Sequence, residues 1–188
     1  DAVEGIERVR FTSPHPADMT ERAVEAIASC AKVMPHVHLP LQSGSNTVLE
    51  RMRRIYTIER YEALVERLRA TVPGIALTTD VIVGFPGETE ADFEATRGAM
   101  RRVRYDGAFL FKYSPRAGAR SAEWDDDVSD GEKTRRITIL IEEQKRASLE
   151  RNSEAVGGEV EVLVEGPSKK SGDHWFGKTA HFKTAVFR

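Results

Sequence analysis

Cysteine is almost missing from this chain: among 188 residues there is one, Cys30. A lone thiol closes no internal disulfide and builds no all-cysteine metal site, which excludes a disulfide-stapled secreted scaffold. Long apolar runs are missing as well. No stretch approaches the roughly 20 residues a membrane span needs, and the opening residues carry no secretory apolar core. Neither sign of charge dominates, with 28 Lys and Arg against 30 Asp and Glu and a formal net charge of −2. So small a net charge gives no global attraction to nucleic acid, so any such role must sit in a local patch. What is present, 40% hydrophobic and 31% charged residues, suffices for one real core with a small appendage. The chain begins at Asp1 without a methionine, and strand-like sequence follows almost at once, so a piece of something larger is expected.

Hydrophobic periodicity divides the chain. Arg8 to Thr12 alternates and predicts a strand. Asp18 with Glu21 predicts a capping box for a helix carrying Val24, Ile27, Ala28 and Ala31. Val37 to Leu39 is a second short strand, ended by Pro40. Ser45 and Thr57 are candidate N-caps of two helices, the second with Tyr61, Leu64, Val65 and Leu68 on one face and Pro73-Gly74 as its stop. Ile75 to Val83 is apolar on both faces late in its run, as a buried parallel strand requires. Thr89 with Asp92 caps a helix lined by Phe93, Thr96, Met100 and Val103, and Ala108 to Tyr113 is a fourth strand. Strand-helix order without a hairpin signal predicts a parallel α/β array. A closed eight-stranded barrel takes about 250 residues, so this is an open sheet or part of a barrel.

The array is expected to occupy residues 1–127, its acidic Asp125-Asp126-Asp127 run serving as a solvated connector. Residues 128–156 read as a long charged connecting helix, capped by Ser129 with Glu132 and striped by Ile137, Leu140 and Ile141. Residues 157–188 read as a small β module with one strand around Val160, Val162 and Val164 and a second β stretch from Phe176 to Phe187.

In parallel α/β folds, loops at the carboxyl ends of strands carry function. The first such loop here is Thr12-Ser13-Pro14-His15-Pro16. In Gln42-Ser43-Gly44-Ser45 the glycine admits a ligand close to backbone, and the following helix start offers N–H groups to a carboxylate; a tight turn with a serine cap is the alternative. Gly84-Phe85-Pro86-Gly87-Glu88 puts open amides and carbonyls at a strand end, where backbone can read a flat heterocycle. Asp80 lies within an apolar strand and is costly there unless paired or bound to a ligand hydroxyl. Lys112-Tyr113-Ser114-Pro115-Arg116 ends the last strand with two cations suited to a carboxylate or phosphate. His36 and His38 share a face of one strand, and with Asp80 or His15 they are the candidate ligands of a metal-dependent hydrolase, although no third ligand has a compelling spacing and packing inside the sheet is the plainer account. Cys30 reads as a small hydrophobe. In the β module Lys169, Lys170, Lys178, Lys183 and Arg188 interleave with His174, Trp175, Phe176, His181 and Phe182, the pairing that phosphates and unstacked bases demand; a basic edge strand is the plainer account.

The ordered motifs Arg10-Phe11-Thr12-Ser13-Pro14-His15-Pro16, His38-Leu39-Pro40-Leu41-Gln42-Ser43-Gly44-Ser45, Thr79-Asp80-Val81-Ile82-Val83-Gly84-Phe85-Pro86-Gly87-Glu88-Thr89 and Phe111-Lys112-Tyr113-Ser114-Pro115-Arg116 closely resemble the radical S-adenosylmethionine (SAM) methylthiotransferases. Leu163 to Lys170 looks like the opening of their RNA-binding TRAM domain. The resemblance implies a partial parallel (β/α) barrel, a long helix and an incomplete β-barrel. It further implies S-adenosylmethionine and two 4Fe-4S clusters, used to add a methylthio group to C2 of N6-isopentenyladenosine beside the anticodon of tRNA. The branch acting on threonylcarbamoyladenosine is the near rival, and a non-catalytic RNA-binding chain is a further alternative.

By the same resemblance Gln42, Ser43 and Gly44 match the region at the methionyl and ribose parts of the cofactor. Asp80, Gly84, Phe85 and Pro86 match its third-strand edge, and Lys112, Tyr113 and Ser114 its fourth. Lys169, Lys170, Lys178, His181 and Lys183 match the RNA module. The family's Cys-x-x-x-Cys-x-x-Cys loop, its three N-terminal cysteines and its early glycine-rich motif are all absent. The resemblance therefore implies a fragment, inactive alone, of a cytoplasmic and monomeric parent enzyme.

Overall fold

Capping side chains set where the helices begin in the computed structural model, which describes residues 2–12, 14–169 and 172–188. Thr20 accepts from the Ala23 amide to start α1 (Glu21–Ser29), Ser45 from Val48 to start α2 (Asn46–Arg51), and Thr57 from Arg60 to start α3 (Ile58–Thr71). Thr89 and Asp92 satisfy each other's backbone amides in a full capping box at α4 (Glu90–Val103). Ser129 accepts from Glu132 at the head of α5 (Asp130–Ser153). The cap of α1 is a correction. The box expected from Asp18 and Glu21 does not form, because Asp18 belongs to a 3-10 turn, Pro16–Asp18, that His15 caps.

Three parallel strands lie between these helices in the order β1 (His36–His38), β2 (Ala76–Val83), β3 (Gly107–Lys112). Pairing runs Val37 to Leu77 and Thr78 to Gly107, and it resumes past Pro40 where Gln42 bridges Val81. The predicted first strand, Arg8 to Thr12, reduces to a single bridge, Val9 with Val33. Only Val9 there joins the ladder, donating to the Lys32 carbonyl at 2.7 Å and accepting from Met34 at 3.1 Å. The neighbouring Arg8 and Arg10 side chains instead reach out to the β module.

The helices stand on one face of the sheet and touch in the order α1, α3, α4, α5, an arc of a barrel's outer ring. Beneath them lies the core: Val37, Leu39, Leu77, Val81 and Val83 from the strands pack on Val24, Tyr61, Leu68, Phe93, Met100 and Leu140. Two buried tyrosines close the polar loose ends, Tyr105 donating to Tyr61 at 2.8 Å and Tyr61 to the Leu39 carbonyl at 2.7 Å. On the opposite, concave face His36, His38, Thr78, Asp80, Ile82, Phe109 and Phe111 alternate with the buried set. Phe109 and Phe111 are 61% and 49% exposed. No helix among the described residues is long and apolar enough to cross a membrane.

The β module has three antiparallel strands, β4 (Val162–Pro167), β5 (Trp175–Thr179) and β6 (Thr184–Phe187), where two stretches were expected. The break inside Phe176 to Phe187 comes at Phe182, whose φ of 63° reverses the chain. A phenylalanine in that conformation leaves no signal of the kind glycine or asparagine would give.

Candidate active site

The carboxyl ends of β2 and β3 open into a cavity of about 600 Å³ lined by Gln42, Arg54, Asp80, Ile82, Phe85, Phe111, Lys112, Tyr113, Ser114, Arg116, Ala119 and Ser121. This is the size range of small-molecule sites. Seven residues singled out from sequence meet here: Gln42, Asp80, Phe85, Lys112, Tyr113, Ser114 and Arg116. Gln42 reaches the wall through a left-handed backbone, φ 65°. Phe85 and Tyr113 meet edge to face at 5.1 Å, Trp124 closes on Phe85 at 5.9 Å, and the Tyr113 hydroxyl donates to the Ser121 carbonyl at 2.8 Å. Lys112 is held by Asp130 at 3.0 Å and donates to Thr134. Arg54 was missed by the sequence reading. Its Nε is buried without a hydrogen-bond partner among the described residues, a cost the fold carries beside the cavity. The Arg51-Met52-Arg53-Arg54 cation run was its only sequence trace.

Four other predicted residues face the protein rather than the cavity. Ser43 is fully buried, 3.2 Å from the Thr96 hydroxyl, and the Gly44 amide donates to that hydroxyl at 2.9 Å. Ser45 donates to Asp92 at 2.5 Å. Burial opposes ionisation of Asp92, but the hydrogen bonds from Ser45 and Thr89 outweigh it and hold the carboxyl below its ordinary value. Gly84, at φ 70°, lies directly beneath the Lys133 side chain, and Pro86 is buried with its carbonyl accepting from Arg51 Nε at 3.0 Å. These residues are the frame that aims the loops.

That frame is anchored by charges hidden in the sequence. Glu88 and Arg136 are each 5% exposed and form an ion pair at 2.7 Å, with Glu88 also accepting from the Gly84 amide at 3.1 Å. Burial pushes the Glu88 carboxyl up, against the hydrogen bonds from Gly84 and Arg136. The acidic run is not simply solvated: Asp126 pairs with buried Lys133 at 2.6 Å, and Asp127 accepts from the Gly87 amide at 2.7 Å.

Below the mouth, on the concave face, Asp80 meets His38 Nε2 at 3.2 Å, and Thr78 Oγ1 lies 2.9 Å from His38 and 3.1 Å from His36. Asp80 is therefore partnered, as its position demanded. His15 caps the Pro16–Asp18 turn, so it is not a third ligand, and among the described residues no three His, Cys, Asp or Glu side chains are grouped to hold a metal. Burial, with the Arg10 charge, lowers the His36 pKa to about 4.

The β module docks at the amino end of the strands. Arg8 donates to the Lys178 carbonyl at 2.9 Å, and Arg10 to those of Thr179 and Ala180 at 2.7 and 3.0 Å. Phe182 lies 5.2 Å from the His36 ring, between the Arg10 and Lys178 cations. Of the residues assigned to RNA, Lys183 contacts Asp106 at 3.0 Å and Asn152 at 2.9 Å, and Lys178 donates to Thr184 at 2.7 Å. Burial lowers the His181 pKa, and Lys169 is exposed. Lys170, like Ser13, lies outside the described residues.

A parallel β/α arc with its polar loops gathered at the strand ends defines an enzyme-type partial barrel. Among solved structures, coproporphyrinogen III oxidase (HemN) from Escherichia coli, a radical SAM enzyme, shares this fold with a TM-score of 0.60 and 18% identity over 72% of this chain and 31% of that one. The radical SAM superfamily profile matches residues 2–99, just over half the chain, and the chain belongs to that superfamily. It is 50% identical over 187 residues to the tRNA-2-methylthio-N(6)-dimethylallyladenosine synthase of Moorella thermoacetica, covering 100% of this chain and 42% of that protein. The protein of the same name from Mycolicibacterium smegmatis is 50% identical over 162 residues, covering 86% of this chain and 32% of its own length. The chain thus spans about two fifths of the length of the first of these relatives.

Superfamily membership implies S-adenosylmethionine and a 4Fe-4S cluster. The chain does not fit the cluster: its one cysteine, Cys30, is half-buried at the end of α1 and cannot supply a set of thiolates.

Proposed function

We propose that this chain is the cofactor-facing and RNA-facing part of a cytoplasmic tRNA methylthiotransferase acting at C2 of N6-isopentenyladenosine beside the anticodon. The observation that carries this is the mouth itself: nine residues of the family motifs converge on one cavity of about 600 Å³ at the strand ends, in a chain 50% identical over 187 residues to the Moorella thermoacetica synthase. S-adenosylmethionine, when bound, supplies the radical and the methyl group. The chain's residues divide the binding. Arg54 and Lys112, two cations of the cavity lining, suit the methionyl carboxylate. Asp80 suits ribose hydroxyls, and the Phe85–Tyr113 edge with Gln42 suits the adenine ring. Ser43, Gly44, Gly84 and Pro86 position those groups. Residues 157–188 serve as the TRAM-type module, and the thiolates that hold the clusters belong to other segments of the enzyme.

Equilibrium dialysis of this chain with S-adenosylmethionine tests the assignment, comparing wild type with Arg54→Ala and Asp80→Ala. Each substitution is expected to weaken binding about 10-fold, the loss of one charge-assisted hydrogen bond or about 1.5 kcal/mol. Unchanged binding in both variants would refute the cavity as the cofactor site. In the full-length enzyme the same variants should lose the methylthio product in tRNA nucleosides resolved by mass spectrometry.

A further inference from the structure

The cations of this chain differ in what already holds them. At the β module Lys183 is spent on Asp106 and Asn152, and Lys178 on Thr184 and the Phe182 ring. At the mouth, Arg116 and Arg120 lie on the exposed connector after β3, and neither has a side-chain partner among the described residues. Arg53, next to mouth-lining Arg54, is likewise exposed and unpaired, on a turn with φ 56°. Of the connector's acids, Asp126 is paired with Lys133 and Asp127 accepts from the Gly87 amide, and among the described residues no carboxylate forms an ion pair with Arg53, Arg116 or Arg120. Exposed guanidiniums without carboxylates retain their full capacity for bidentate phosphate contacts. Arg116 lines, and Arg53 and Arg120 adjoin in sequence residues that line, an opening that also presents Phe111, 49% exposed, a ring suited to an unstacked base.

Position separates the two groups. Lys183 meets Asp106 just before β3 begins, and Arg116 follows its end, so the six residues of β3 hold them about 20 Å apart. An RNA that delivers a base to the strand ends meets the arginine rim first. We propose that Arg53, Arg116 and Arg120 grip RNA phosphates around the mouth, and that Lys183 braces the β module against the barrel while Lys178 is held within the module. This rests on the tRNA reading above and says where that RNA is held.

Fluorescence anisotropy of this chain with a labelled anticodon-type RNA stem-loop, from about 50 to about 200 mM salt, decides it. Replacing Arg53, Arg116 and Arg120 together by alanine is expected to weaken binding at least 10-fold. It should also lower the slope of log affinity against log salt by about 2 to 3, roughly 0.7–0.9 for each phosphate no longer neutralised. Its melting temperature should not change, since none of the three has a partner to lose. Lys178→Ala with Lys183→Ala should keep the wild-type salt slope while the Glu154–Gly158 turn is cut faster by protease. A wild-type slope in the arginine variant, or its loss in the lysine variant, overturns the rim assignment alone. No salt-dependent binding by the wild-type chain overturns it together with the tRNA reading.

Discussion

Replacing Gly44 by alanine separates two reasons for a glycine at the turn into α2. Sequence reasoning placed it there so that a ligand could approach the backbone. In the folded chain the space is taken by α4: a Cβ on Gly44 would lie 2.6 Å from the Ala95 carbonyl oxygen and 2.6 Å from the Thr96 Cα. Both are backbone atoms of a capped helix, so neither can swing aside. Gly44 is not among the residues of left-handed φ, so the penalty is one of packing. Overpacking of this kind costs about 1–3 kcal/mol. Pushing α4 away also weakens the buried Gly44 amide bond to Thr96, 2.9 Å long, worth about 1 kcal/mol. Alanine recovers roughly 0.4–1 kcal/mol through the stiffer unfolded chain. The net is about 2 kcal/mol of destabilisation, or a melting temperature lower by about 4–8 °C in a chain of this size. Differential scanning calorimetry reads it directly. A variant that melts like wild type but fails to bind S-adenosylmethionine would refute the packing argument and restore the ligand-approach role.

Two further outcomes concern buried charge. Arg136→Met leaves Glu88 buried without its cation and should cost about 3–5 kcal/mol, whereas Glu88→Gln with Arg136→Met should recover most of that, as urea unfolding of the single and double variants will show; equal losses in both would contradict a pair penalty. His36 takes up a proton near 6.5 when unfolded but only near 4 when folded, so the unfolded state binds more protons between those values. Its contribution is complete above about pH 6.5 and lost as the pH falls toward 4. Discounting for the ring's partial exposure, urea midpoints should report a loss of about 1 kcal/mol from pH 7 to pH 5 that His36→Gln removes, and a variant with the wild-type slope would point to His181 or another group.

Local signals carried far in this protein. Ser45, Thr57, Thr89 with Asp92, and Ser129 all cap the helices that their spacing announced, because capping is settled within a few residues of chain. The apolar Ile75 to Val83 run and the absence of hairpin signals made the parallel array legible, and the strand-end loops followed from it. Most of the cavity wall, from Gln42 to Ser114, was therefore legible in the chain alone. Tertiary structure decided which of those residues are free. Ser43 and Gly44 read as ligand contacts until α4 crossed them, and Lys183 read as an RNA cation until Asp106 came against it, since both partners lie dozens of residues away. Arg54 joined the cavity wall only when folding brought it beside the mouth, and Glu88 with Arg136 became an anchor only when both left solvent. The sequence by itself determined which elements form and in what order. The third dimension decided which charges are already spent and which remain for a ligand, because pairing and burial depend on what the fold brings into contact across the chain.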